Sequence, residues 1–133
     1  NIELNEGIQY EVSIRKIDSL EIENIGLIKI DVEGAELEVL KGALKTISNQ
    51  KPNLIIENEI NRTETPELLF KFMNDIHYDA FYVNGNRKLV KLENNFNIFD
   101  NQKDPARKRF GYIQNFIFMH QDRLWFYFEF YLY

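Results

Sequence analysis

The stretch LIKIDVEGAELEVLKGA, Leu27 to Ala43, switches from a strand-like to a helical hydrophobic period within a few residues, and no other feature limits the fold as much. Ile25 to Val32 is apolar apart from Gly26, Lys29 and Asp31, the pattern of a strand covered on both faces in a parallel sheet. From Ala35 the positions Leu37, Leu40, Leu44 and Ile47 recur at helical spacing, with Glu36, Glu38, Lys41 and Lys45 on the outer face. Gly34 and Ala35 alone make the turn, so Asp31 and Glu33 sit where charge must be solvated, paired or used. If the chain is still extended there, both carboxylates project to one side. The positive end of the following helix lowers the cost of keeping them ionised. Gly34 permits the tight turn, for packing or for a ligand.

The rest of the chain extends this strand-helix unit. Tyr10 to Ile17, with Tyr10, Val12 and Ile14 at period two, reads as a half-buried strand. Lys51 and Pro52 stop the first helix, and Asn53 to Ile56 is a second short apolar strand ending in Glu57, Asn58 and Glu59. Thr65 is a suitable cap with Pro66 at the first helical position, and Leu68, Leu69, Phe72, Met73 and Ile76 form the buried stripe of a second helix. Phe81 and Val83 alternate into Asn84-Gly85-Asn86, a tight-turn signal, and Leu89 to Leu92 returns as a paired strand. Glu93 to Arg109 reads as a loop, and Gly111 to Met119 as a last apolar strand. The tail DRLWFYFEFYLY, with seven aromatics in twelve residues, reads as packing, an edge strand or a terminus whose partner surface is missing. Strands and helices in this order give an α/β fold, an open sheet with a mixed edge. Ligands of such sheets bind beyond the carboxyl ends of the strands, where Asp31, Glu33 and Glu57 fall.

Composition excludes several functions. At 133 residues one core is the default, burying roughly 65 to 70 % of the unfolded surface. The net charge of -5 argues against a general phosphate-binding surface and so against nucleic acid. With no cysteine there is no disulfide, zinc-thiolate site or thiol nucleophile, and a reducing, cytoplasmic setting is compatible with that. No apolar run approaches the roughly 20 residues of a membrane helix, so a soluble chain with no membrane partner is expected. A start at Asn1 suggests a fragment or processed product.

IGLIKIDVEGAELEVLKGA, followed by KPNLIIENE, resembles the FkbM family of S-adenosylmethionine-dependent methyltransferases. VSIRKIDSL resembles the segment preceding that motif, with Asp18 at its acidic position, and the run ending in NFIFMH looks like the closing strand. The resemblance implies a class I (Rossmann-like) methyltransferase fold of seven strands, here incomplete: the second half of one domain over residues 1–133, with a mostly parallel sheet and an antiparallel C-terminal edge. It implies S-adenosylmethionine as cofactor and methyl transfer to a hydroxyl of a small molecule or sugar. Asp31 and Glu33 are then the catalytic candidates, Asp31 as general base or substrate anchor and nearest the methyl donor, Glu33 positioning it or the acceptor. Glu57 is the candidate for substrate binding. The cofactor's glycine loop is absent, since no two of the six glycines lie closer than eight residues. That absence predicts an isolated chain that is inactive.

Bland readings compete. Asp31 and Glu33 also suit a helix terminus or a pairing with Lys29, and Glu57 suits a solvated strand end. No metal site is expected, because D-V-E-G lacks the rest of a calcium loop. His77 and His120 lack ligand-like neighbours in sequence, and Lys103, Arg107, Lys108 and Arg109 read as a solvated loop more readily than as an anion contact. Two other functions remain open: a D-x-E metal-dependent glycosyltransferase, and a truncated α/β module acting through a partner or through self-association at an unpaired sheet edge.

Overall fold

The computed structural model describes residues 11–59, 66–93, 102–103 and 112–124. Among the described residues five strands form one sheet: β1 (Leu27–Ile30), β2 (Asn53–Glu57), β3 (Tyr78–Val83), β4 (Leu89–Lys91) and β5 (Asn115–His120), in the spatial order β1-β2-β5-β3-β4. Among the described residues the helices α1 (Glu36–Gly42), α2 (Leu44–Gln50) and α3 (Pro66–Asp75) accompany it.

The expected mostly parallel sheet is corrected by the pairings. β1 and β2 are parallel, whereas β2–β5, β5–β3 and β3–β4 are antiparallel. β1, β2 and β3 still share one direction, because β5 is antiparallel to both β2 and β3 and lies between them. The antiparallel strand expected at an edge therefore stands in the middle. Its sequence suits that place, since Phe116 and Phe118 are fully buried and pair with Ile56 and Leu54.

Alternate residues on the strands build a single core. Ile30, Leu54, Ile56, Tyr78, Phe116 and Phe118 share one sheet face with Leu40 of α1, Ile47 of α2, and Leu69, Phe70 and Met73 of α3. Phe70 meets the edge of Phe116 at 4.9 Å, an aromatic geometry favoured beyond simple burial. α1, α2 and α3 all pack on this face. β1, expected to be covered on both faces, stands last in the sheet among the described residues, and Leu27 on its other face is 56 % exposed.

Other expectations shift. The strand over Tyr10 to Ile17 does not form in its described part: residues 11–16 are irregular, Ile14 is 96 % exposed, and Ile17–Ser19 is a 3-10 turn. Period-two spacing gives a strand only where another strand lies alongside, and none among the described residues does. The helix predicted from Ala35 breaks at Ala43, following Gly42, into α1 and α2. The break turns Ala43 and Ile47 to the sheet and leaves Leu44, expected in the core, 39 % exposed. In α3 the buried stripe is Pro66, Leu69, Phe70 and Met73, so Leu68 faces outward. The β3–β4 hairpin forms as expected, with Asn84 Oδ1 accepting from the Asn86 and Lys88 amides. Thr65, Arg107, Lys108, Arg109, the aromatic tail after Leu124 and most of the predicted loop lie outside the described residues.

Candidate functional site

β1 and β2 run parallel, so their carboxyl ends open at the same edge of the sheet. There a cleft of about 110 Å³ is lined by Asp31, Val32, Glu33, Glu36, Glu57 and Glu59. Asp31, Glu33 and Glu57 are thus brought together as the sequence predicts. Alternation along β2 turns Glu57 and Glu59 to the cleft and sends Asn58, between them, to the opposite face, where it is buried.

Glu36 is the member that sequence reading misplaced. It is only 6 % exposed, and its Oε1 accepts a hydrogen bond from the Gly34 amide at 3.0 Å. Gly34 has φ 87°, a left-handed conformation that a Cβ would strain, so the glycine is required by the turn itself. The turn folds Glu36 back under the acidic edge.

The electrostatics centre on Asp31 and Glu57. Lys29 Nζ lies 3.1 Å from Asp31 Oδ2 and 4.0 Å from Glu57 Oε2, bridging the two carboxyl groups. Burial, then the neighbouring charge of Asp31, hold Glu57 above the ordinary carboxylate range; Lys29 opposes this, while Glu59 and a hydrogen bond with Asp31 add to it. A carboxyl pair in such surroundings retains a proton more readily than either group alone. Gln114 Nε2 donates to Glu57 Oε1 at 3.1 Å, and the Tyr112 hydroxyl donates to Glu59 Oε1 at 3.4 Å. Burial, then the charges of Glu59 and Glu57, push the Tyr112 hydroxyl upward and keep it a donor.

A buried polar layer supports these groups. Gln102 Nε2 donates to the Asn58 and Ile113 carbonyls, both at 2.8 Å, and Asn58 Nδ2 donates to the Pro66 carbonyl. Sequence reading missed Glu36, Asn58, Gln102, Tyr112 and Gln114. Asn58 had a signal, an amide at the inward position of an otherwise apolar alternation; the others depend on which strands pair.

Further features lie elsewhere. Asp18 Oδ1 and Oδ2 accept from the Thr46 and Lys45 amides, so the acidic position of the upstream segment caps α2. His77 and His120 are brought together, ring centres 6.4 Å apart, beyond the opposite end of β2, near Lys51 and Asp122. Among the described residues no group of three or more acidic or histidine side chains is arranged to hold a metal ion. A larger open groove of about 840 Å³ between α3 and the β3–β4 hairpin mixes Glu67, Lys71, Asp79, Lys91 and Glu93 without converging them. Among the described residues no helix is long and apolar enough to cross a membrane.

A mixed α/β sheet with an acidic cleft beyond the carboxyl ends of a parallel strand pair places that cleft where ligands of open α/β sheets bind. The chain belongs to the FkbM methyltransferase family: the family model of the methyltransferase FkbM domain matches residues 2–104, which include every cleft-lining residue. No curated protein and no solved structure matches the chain. The family match favours neither the glycosyltransferase nor the non-catalytic reading.

Proposed function

We propose that the cleft carries out methyl transfer from S-adenosylmethionine to a hydroxyl of a small molecule or sugar, within a Rossmann-like class I fold. The observation that carries this reading is the Asp31–Glu57 carboxyl pair, with Glu57 held above the ordinary carboxylate range beside Lys29 at the ligand edge of the sheet. A carboxylate within hydrogen-bond reach of an acceptor hydroxyl serves as a general base.

The residues suit part of the cofactor. A cleft of about 110 Å³ is far below the roughly 300–1,000 Å³ of a pocket that takes a whole ligand of this size. It matches the reacting end alone, and five carboxylates suit a cationic methyl donor and acceptor hydroxyls. The cofactor supplies a methyl group on positively charged sulfur. Asp31 would take the proton that the acceptor hydroxyl gives up when the bound cofactor supplies its methyl group. Glu57 shares that proton, and Lys29 fixes both carboxyl groups. Glu33 orients the acceptor, and Gln114 and Tyr112 hold Glu57 and Glu59 in place. Alignment of donor and acceptor supplies much of the rate.

The deciding experiment measures S-adenosylhomocysteine formation with a panel of sugar and small-molecule hydroxyl acceptors, alongside calorimetric titration of the cofactor product. Asp31→Asn is expected to lower the rate by about 10²–10⁴-fold while leaving cofactor binding intact. A full rate in Asp31→Asn, or no methyl transfer to any acceptor by a polypeptide that also carries the cofactor's glycine loop, would overturn the proposal.

A further inference from the structure

The pairing of β2 with β5 stops being a regular ladder where the cleft begins. Glu57 and Asn115 are the last strand partners, and one step further the Asn58 amide still donates to the Gln114 carbonyl at 2.8 Å. A regular antiparallel ladder would return the Gln114 amide to the Asn58 carbonyl and turn the Ile113 carbonyl, on the other side of the same peptide, away from β2. Instead a single NH2 group, that of Gln102, donates at 2.8 Å to both the Asn58 and the Ile113 carbonyl. The two carbonyls therefore converge, and the peptide between Ile113 and Gln114 is rotated out of the ladder.

This rotation reaches the cleft. Strict alternation would keep Gln114 on the helix-covered face with Phe116 and Phe118. Its Nε2 nonetheless donates to Glu57 Oε1 at 3.1 Å, and the hydroxyl of Tyr112, two residues earlier, reaches Glu59 Oε1 at 3.4 Å.

We propose that Gln102 is a positioning residue for the cleft: its side-chain amide holds the chain before β5 off the ladder and so aims Gln114 and Tyr112 at Glu57 and Glu59. Gln102 does not line the cleft and acts through the two strand ends. It is only 2 % exposed, and losing those acceptors would leave buried donors unpaired, which fixes the amide in its own place. The effect expected on the rate rests on the methyl-transfer reading of the cleft, whereas the effect on Glu57 is read without any reaction.

A hydrogen bond donated to a carboxylate favours its ionised form. Gln102→Met keeps the length of the side chain and removes the donor. Carboxyl-carbon NMR of the 133-residue chain is expected to show Glu57 titrating at higher pH in Gln102→Met than in the parent, because Gln114 is released from it. Tyr78→Phe removes a hydrogen bond to the Pro52 carbonyl at the opposite end of β2, and it is expected to lower stability while leaving the Glu57 titration in place. In a polypeptide that also carries the cofactor's glycine loop, Gln102→Met should lower kcat about 10- to 100-fold with the KM for the cofactor unchanged. The parent chain gives a readout that needs no variant: the side-chain amide protons of Gln102 should exchange more slowly than those of Gln121, whose Nε2 bonds Asp79 in an exposed position. Glu57 titrating alike in the parent and in Gln102→Met, the same displacement in Tyr78→Phe, an unchanged kcat, or Gln102 protons exchanging as fast as those of Gln121 would each overturn the proposal. If the complete polypeptide transfers no methyl group to any acceptor, the function proposed for the cleft falls, and the titration still decides the role of Gln102.

Discussion

Asp18 and Glu57 are carboxylates that the fold treats in opposite ways. Burial raises the affinity of Asp18 for its proton, but hydrogen bonds from Thr46 and Lys45 outweigh it and lower the group below its ordinary range. Its contribution is therefore present above about pH 4 and is lost as pH falls through the lowered value. Asp18→Ala should cost about 1 kcal/mol in denaturant unfolding at neutral pH, the usual loss for a helix cap, and the difference should shrink in acid. Glu57 is raised, so its ionised form burdens the fold at neutral pH. Glu57→Gln should stabilise by about 0.5–2 kcal/mol at pH 7, the range found when unfavourable charge is removed. That gain should disappear toward about pH 4, where Glu57 of the parent is protonated in both states. Thermal melts across pH test both signs. Asp31, Glu33 and Glu57 were legible because strand ends are readable from hydrophobic runs. Glu36 was not, since a helical wheel assigns it to solvent and only the left-handed turn at Gly34 draws it inward.

Elements were legible in kind more than in partnership. β1, β2, α3 and the β3–β4 hairpin follow their periodicities and turn residues, because local propensity and tertiary context agree there. Residues 11–16 failed because alternation reports exposure to two environments and cannot supply the neighbouring strand. The α1–α2 break was hidden because Leu37, Leu40, Leu44 and Ile47 suit one straight helix equally well. Asp18 compensates for that break, capping amide groups that a continuous helix would have satisfied internally. β5 was recognised as a strand, but not as the one that joins the halves of the sheet. Phe118 is fully buried, and its backbone neighbours Leu54 on one side and Ala80 on the other. Phe118→Ala should therefore cost about 3–5 kcal/mol, measured by urea unfolding, with loss of native packing if that exceeds what the chain can spare.

At the scale of the molecule, one helix-covered face and one parallel strand pair suffice to create the acidic cleft, and the antiparallel strands extend and brace the sheet beside it. Glu57 couples these parts, since its backbone pairs with Asn115 and its side chain accepts from Gln114. Composition had excluded disulfide and thiol chemistry, whereas strand order required long-range pairings that no local pattern encodes. That order also bears on how the molecule comes to exist. β5 follows β1–β4 in the sequence yet stands between β2 and β3, so during synthesis the carboxyl-side neighbours emerge with a gap between them. Until Phe116 and Phe118 leave the ribosome, Leu54, Ile56 and Phe70 have no aromatic layer to close on, and the sheet remains two separate pieces. A nascent chain halted at His77 would thus carry the complete set of cleft carboxylates but neither Asn115 nor Gln114, the late residues that hold Glu57.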